Sequence, residues 1–173
     1  MLIISPFLFF AAIAIIIEDG VPVLFIQERI GKHKSIFRII KIRTLKKEAP
    51  NIGTHQLENE YKLKCGKLIR KIKLDEFPQL INVVKGDINL IGPRPGLISQ
   101  SDLTKSRTAK GIFEIKPGIT GLSQVLGYDM SDPAKLAEID KIYIQKQSHY
   151  VDFLILISTF LPYFKKYLIR IIT

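Results

Sequence analysis

The chain has 173 residues, the size of one domain, and sets 26 Lys and Arg against 16 Asp and Glu for a formal net charge of +10. Hydrophobic residues make up 47% of it, which excludes a charge-rich disordered chain and weakens a plain nucleic-acid reading; basic and apolar together suit an anionic membrane surface. A single cysteine, Cys65, excludes an intramolecular disulfide, and three histidines far apart (His33, His55, His149) provide no metal-ligand spacing.

Met1 to Ile17 holds only Ser5 and Pro6 outside the apolar set. As a straight helix this run reaches roughly 25 Å, short of a hydrocarbon core of roughly 30 Å. Pro6 predicts a kink at Ser5. A signal peptide is the alternative, but no Lys or Arg precedes the run. Glu18-Asp19 also stands where a small-residue cleavage site belongs, so residues 1–20 read as a retained membrane-embedded segment. Residues 21–149 read as a folded domain. It opens on a hairpin of VPVLFIQ and IFRIIKIRT, with Phe37, Ile39, Lys41 and Arg43 on one face of the second strand. Ala49 to Gln56 is a loop. Leu57, Tyr61, Cys65, Leu68, Ile69 and Ile72 then follow the spacing of one amphipathic helix that carries Arg70, weakened modestly by Gly66.

The segment from Leu74 to Asp87 predicts a helix with Asp75 as N-cap, Pro78 in the first turn and Gly86 just past the end. A purely structural reading serves this spacing: Asp75 caps and Glu76 complements the helix dipole. The same carboxylates also suit phosphoryl chemistry, one attacking phosphorus while its neighbour holds a divalent cation. Downstream, Pro93 and Pro95 stiffen the backbone around Arg94. Its guanidinium then either pairs with a nearby carboxylate or grips a phosphate with its bidentate fork. Lys116-Pro117-Gly118-Ile119 reads as a type II turn. Residues 150–173 mix apolar residues with cations around Pro162, which reads as an amphipathic interfacial segment or as a core helix with a basic end.

Taken in order, PVLFIQERIGKHKSIFRIIKIRT, LDEFPQLINVVKGDINLIGPRP, KPGITGLSQV and Asp140-Lys141-Ile142-Tyr143 resemble the bacterial sugar transferase family. These are small monotopic phosphoglycosyl transferases of the bacterial inner membrane, acting at its cytoplasmic face. The resemblance covers nearly the whole chain. It implies transfer of a phospho-sugar from a UDP-sugar to polyprenyl (undecaprenyl) phosphate with release of UMP, the step that initiates a lipid-linked glycan. It implies Mg²⁺ and a covalent aspartyl-phosphosugar intermediate, with Asp75 as nucleophile, Glu76 as metal contact and Arg94 on phosphate. Lys41, Arg70, Asp87 and Asp140 fall where the family also has polar residues near the site. The expected fold is α+β, mainly helical with a small β-hairpin or sheet, a membrane-inserted N-terminal helix and a C-terminal interfacial helix.

Two departures from the family pattern shape expectations. Only Met1 to Ile4 precede Ser5-Pro6, so Phe7 to Ile17 is expected to dip into one leaflet, leaving Met1 and Gly20 on one side and Glu18-Asp19 in water. Leu126-Gly127-Tyr128 replaces an Asn-Gly-Arg common in the family, which bears on the donor sugar. The competing class is a non-enzymatic basic protein binding anionic lipid. It would use the eight Lys and Arg between Arg29 and Lys47, but has no need of adjacent Asp75-Glu76. Nucleic acid is not an expected partner, because that cluster holds few aromatic stacking platforms and the chain has no Trp.

Overall fold

A computed structural model describes residues 5–50 and 58–172; the rest of the expected loop, Leu57 and Met1 to Ile4 lie outside the described residues. The chain is mostly helical with two small sheets, as the α+β expectation held. It forms two compact units, Met1–Gln27 with Arg38–Asn82, and Glu28–Phe37 with Val83–Thr173. The hairpin strands β1 (Leu24–Ile30) and β2 (Ile36–Ile42) give their open end to the first unit and their tip to the second.

In the first unit, α1 (Ser5–Asp19) runs unbroken from Ser5. The kink expected at Ser5 falls at the edge of the described residues, with Met1 to Ile4 outside them. Ala11 and Ile15 enter a core with Ile42, Leu63, Ile69 and Leu74, while Phe7, Phe9, Phe10 and Ile17 are exposed. Among the described residues no helix is long and apolar enough to cross a membrane. Glu18 and Asp19, expected simply to face water, also tie the unit together. Glu18 accepts the N–H groups of Lys64 and Cys65 (2.6 and 2.9 Å), capping a neighbouring helix that has no N-cap side chain of its own. Asp19 pairs with buried Arg43, whose hydrogen bond holds the Asp19 carboxyl below its ordinary value.

That helix, α2, covers Lys64–Lys71 and starts later than its apolar spacing suggests. Lys62 is held extended by an antiparallel bridge to Leu45, and Leu63 is extended too (ψ 144°). Leu68 and Ile72, expected inside, are 63% and 53% exposed. Gly66 is a requirement rather than a weakness, since a Cβ there would lie 2.5 Å from the Thr44 carbonyl oxygen. Alanine normally gains about 1 kcal/mol over glycine within a helix. Here the clash with backbone outweighs that gain, and Gly66→Ala should lose about 1–3 kcal/mol, as overpacked sites do. Denaturant unfolding checks it; a stabilised variant would show that α2 can move away from Thr44.

In the second unit, β3 (Asn89–Ile91) pairs in parallel with β4 (Gly118–Thr120), in the register Asn89 to Gly118 and Ile91 to Thr120. The expected type II turn at Pro117-Gly118 is absent, because Gly118 lacks the positive φ such a turn needs and lies in the strand. Its role is close approach: a Cβ there would fall 2.1 Å from the Gly92 nitrogen. The same unit holds α4 (Ser101–Ala109), α5 (Leu122–Leu126), α6 (Pro133–Lys146), α7 (His149–Phe160) and α8 (Lys165–Ile172), of which α7 packs against this pair. Leu122, Ile139, Tyr143, Val151, Ile155 and Leu168 build its core. The C-terminal region has the core contacts of the second sequence reading. One face of α7 is core, while Tyr150, Phe153 and Phe160 are exposed, and Lys166 lies over the rings of Tyr163 and Tyr167.

Candidate active site

The Leu74–Gln79 segment is a 3-10 turn that leads into α3 (Leu80–Lys85), with Gly86 at φ +81° after it. Asp75 does not cap it. The capping position falls on Lys73, which adopts a left-handed conformation (φ 58°), so Asp75 sits inside the first turn beside Glu76. Two acidic side chains thus stand side by side at the start of a short turn.

Lys41 and Arg70 supply the countercharge. Lys41, on β2, places Nζ 3.5 Å from Glu76 Oε1, with both side chains largely buried. Arg70, in the last turn of α2, donates from Nε to Thr44 Oγ1 at 2.7 Å, which fixes its guanidinium on the buried Thr44. The turn itself is pinned to β2 by Asn82, 1% exposed, whose Oδ1 accepts from Ile40 N (3.1 Å) and whose Nδ2 donates to Arg38 O (2.8 Å). Burial, and next the charge of Glu76, push the Asp75 carboxyl above its ordinary value, while Lys41 and Arg70 pull it down. Lys41→Met removes one of the groups that favour the ionised form. The acid limb of the kcat/KM profile should therefore move to higher pH; an unmoved limb would remove Lys41 from the electrostatics of Asp75.

The structure thus brings together four of the seven residues expected at the site: Lys41, Arg70, Asp75 and Glu76. The other three belong to the second unit. Asp87 is half-buried directly after Gly86, and Arg94 is half-buried between buried Pro93 and Pro95. Asp140 is 1% exposed; its Oδ2 accepts from Arg107 Nε and Nη2 (3.0 and 2.6 Å) and its Oδ1 from Ser123 Oγ (3.2 Å). Sequence reasoning missed Thr44, Asn82 and Arg107. For Asn82 a signal existed, a lone amide within the apolar run LINVV.

The model of the bacterial sugar transferase family matches residues 1–166. The chain belongs to this family. It is a transferase, and several of its relatives carry sugar-phosphate transfer in their names. EpsL, an uncharacterized sugar transferase of Bacillus subtilis (strain 168), is 39% identical over 90% of this chain and 76% of its own length. A UDP-glucose:undecaprenyl-phosphate glucose-1-phosphate transferase of Caulobacter vibrioides is 34% identical over 90% of this chain and 61% of its own. A UDP-N-acetylgalactosamine-undecaprenyl-phosphate N-acetylgalactosaminephosphotransferase of Aeromonas hydrophila is 36% identical over 90% of this chain and 38% of its own. The sugar transferase chain thus spans three quarters of the first relative, but less than two thirds of the other two.

Among the described residues of this sugar transferase, no group of three or more His, Cys, Asp or Glu side chains is placed to hold a metal. Mg²⁺ does not need one. It is commonly held by one or two carboxylates, substrate phosphates and water. Asp75 and Glu76 are two adjacent hard oxygen donors, and their mutual repulsion in a buried setting is what a divalent cation relieves. The donor set therefore fits Mg²⁺ recruited with a diphosphate substrate.

Proposed function

We propose that this transferase moves a phospho-sugar from a UDP-sugar to undecaprenyl phosphate through a covalent intermediate on Asp75. The observation that carries the reading is the turn holding half-buried Asp75 beside Glu76, flanked by Lys41 and Arg70. The names of the relatives support the same donor and acceptor classes. In the first displacement an Asp75 oxygen attacks the sugar-bearing phosphorus. A P–O–C(aspartyl) linkage forms, the diphosphate P–O bond breaks, and UMP leaves with the electron pair. In the second, a phosphate oxygen of the polyprenyl phosphate attacks the same phosphorus, and the Asp75 carboxylate leaves. Two displacements let a soluble donor and a lipid acceptor use one nucleophile in turn.

Charge governs the arrangement. A carboxylate attacking an anionic diphosphate meets repulsion, which Lys41 and Arg70 reduce at Asp75, and bound Mg²⁺ would supply further neutralisation of the phosphates at Glu76. Arg94 presents a bidentate fork to a substrate phosphate. The exposed aromatic and aliphatic side chains of α1, and separately those of α7 with nearby Lys165 and Lys166, support attachment to an anionic membrane surface, the cytoplasmic face of the bacterial inner membrane.

The reading is tested by UMP release across a panel of UDP-sugars, with and without undecaprenyl phosphate and Mg²⁺. At least one donor should give UMP release that needs the metal; none doing so would contradict it. Glu76→Gln should raise the Mg²⁺ concentration needed for half-maximal rate by roughly 10- to 100-fold, as loss of a metal-site group does. An unchanged metal titration would remove Glu76 from the metal.

A further inference from the structure

The loop that carries Arg94 is held at four consecutive carbonyl oxygens. Pro93 O accepts from Gly118 N (2.9 Å) and Gly96 O from Ile30 N (3.1 Å), both backbone bonds. The two between them are taken by arginine side chains: Arg107 Nη1 donates to Arg94 O (2.7 Å) and Arg29 Nη1 to Pro95 O (3.2 Å). All these residues lie in the second unit. A loop hydrogen-bonded at four consecutive carbonyls, with a proline on each side of its arginine, is stiffened on both sides of Arg94.

Arg107 is the more informative of the two donors. It is 3% exposed, and Nε and Nη2 are both spent on Asp140 Oδ2 (3.0 and 2.6 Å). Asp140 is in turn fixed by Ser123 Oγ at Oδ1 (3.2 Å). A buried ion pair made only for neutrality would be complete there. The remaining arm reaches the peptide of Arg94, so the planar guanidinium links a fixed carboxylate to the backbone that aims another guanidinium.

We propose that Arg107, oriented by Asp140 and Ser123, is a positioning residue for Arg94. It touches no substrate itself. It holds the Arg94 peptide so that the side chain starts from one direction, which makes α4 and α6 part of the phosphate site at one remove. This inference rests on Arg94 contacting a substrate phosphate, as proposed above.

The test is a double-mutant cycle in the full-length chain, with UMP release as the rate and thermal unfolding recorded for every variant. Arg107→Lys keeps a cation for Asp140, but a single ammonium cannot also hold the Arg94 carbonyl in the same plane. In the parent it should lower kcat/KM roughly 10- to 100-fold, the cost of a displaced positioning group. In an Arg94→Ala background the same change should cost less than about twofold, since no side chain is left to aim. Loss of the same size in both backgrounds would overturn the inference, because Arg107 would then act on the protein as a whole. A parental rate in Arg107→Lys would overturn it as well. Should that variant fail to fold, Asp140→Asn enters the same cycle. Its amide oxygen still accepts from Arg107 while the anchoring charge is gone, and its loss must likewise vanish without Arg94 or the inference fails. If Arg94→Ala alone retains the parental rate, the phosphate reading of Arg94 fails, and the inference with it; a damaged Arg94→Ala with an additive Arg107→Lys rejects the inference alone.

Discussion

Asp75→Asn is expected to abolish UMP release, with a loss on the order of 10⁴-fold or more, as when a nucleophile is removed from a working site. The amide keeps the shape of the side chain and lacks a nucleophilic oxygen anion. The same substitution should leave the fold at least as stable as the parent. Asp75 is not the capping residue of its turn, and its carboxyl is raised, first by burial and then by the Glu76 charge. A raised folded-state value means the folded chain binds that proton more tightly than the unfolded chain. Ionising Asp75 as pH rises through that value therefore costs stability, and an uncharged side chain escapes the cost. Dead enzyme with an unchanged or higher thermal midpoint at neutral pH is the expected pair of results. Loss of activity with a lowered midpoint would point to a structural aspartate, and retained activity would remove Asp75 as nucleophile.

Arg94→Lys should cost about 2 kcal/mol of transition-state stabilisation, the worth of a charge-assisted bond, or roughly 30-fold in kcat/KM. Both prolines and the carbonyl clamp remain, so the variant keeps the mount and changes only what it presents. A point charge cannot reproduce the fork. Equal efficiency in the lysine variant would leave Arg94 as a loop residue.

Much of this was legible in the chain itself. Two β-rich runs, VPVLFIQ and IFRIIKIRT, on either side of the Gly31 loop placed the hairpin. Gly86 marked the end of α3 because a left-handed conformation is needed there. The pairing of Asp75 with Glu76, and the cations expected at Lys41 and Arg70, could be named from motif order. Their meeting could not be. Lys41 lies on a strand and Arg70 on a helix; what aligns them is Thr44 and Asn82, buried polar residues whose partners are distant in sequence. Two of the errors share that cause. Local rules place a cap at Asp75, a turn at Pro117-Gly118 and a continuous helix from Leu57. Tertiary contacts override two of these, since Gly118 lies against Gly92 in a parallel strand and Leu45 holds Lys62 extended; at the third, Lys73 takes the capping position in a left-handed conformation. Gly66 is the plainest case, a helix-weakening residue by propensity and a packing necessity against Thr44.

The central claim is the covalent step on Asp75, and the most direct measurement withholds the acceptor. The full-length chain is mixed with Mg²⁺ and a UDP-sugar that supports turnover, without polyprenyl phosphate, then quenched and digested for mass spectrometry. The account predicts that the peptide containing Asp75 gains the mass of one sugar phosphate, in step with a stoichiometric burst of UMP, and that Asp75→Asn shows neither. An enzyme that turns over fully once undecaprenyl phosphate is added, yet releases no UMP and carries no added mass without it, would contradict the account and make the transfer a single direct displacement.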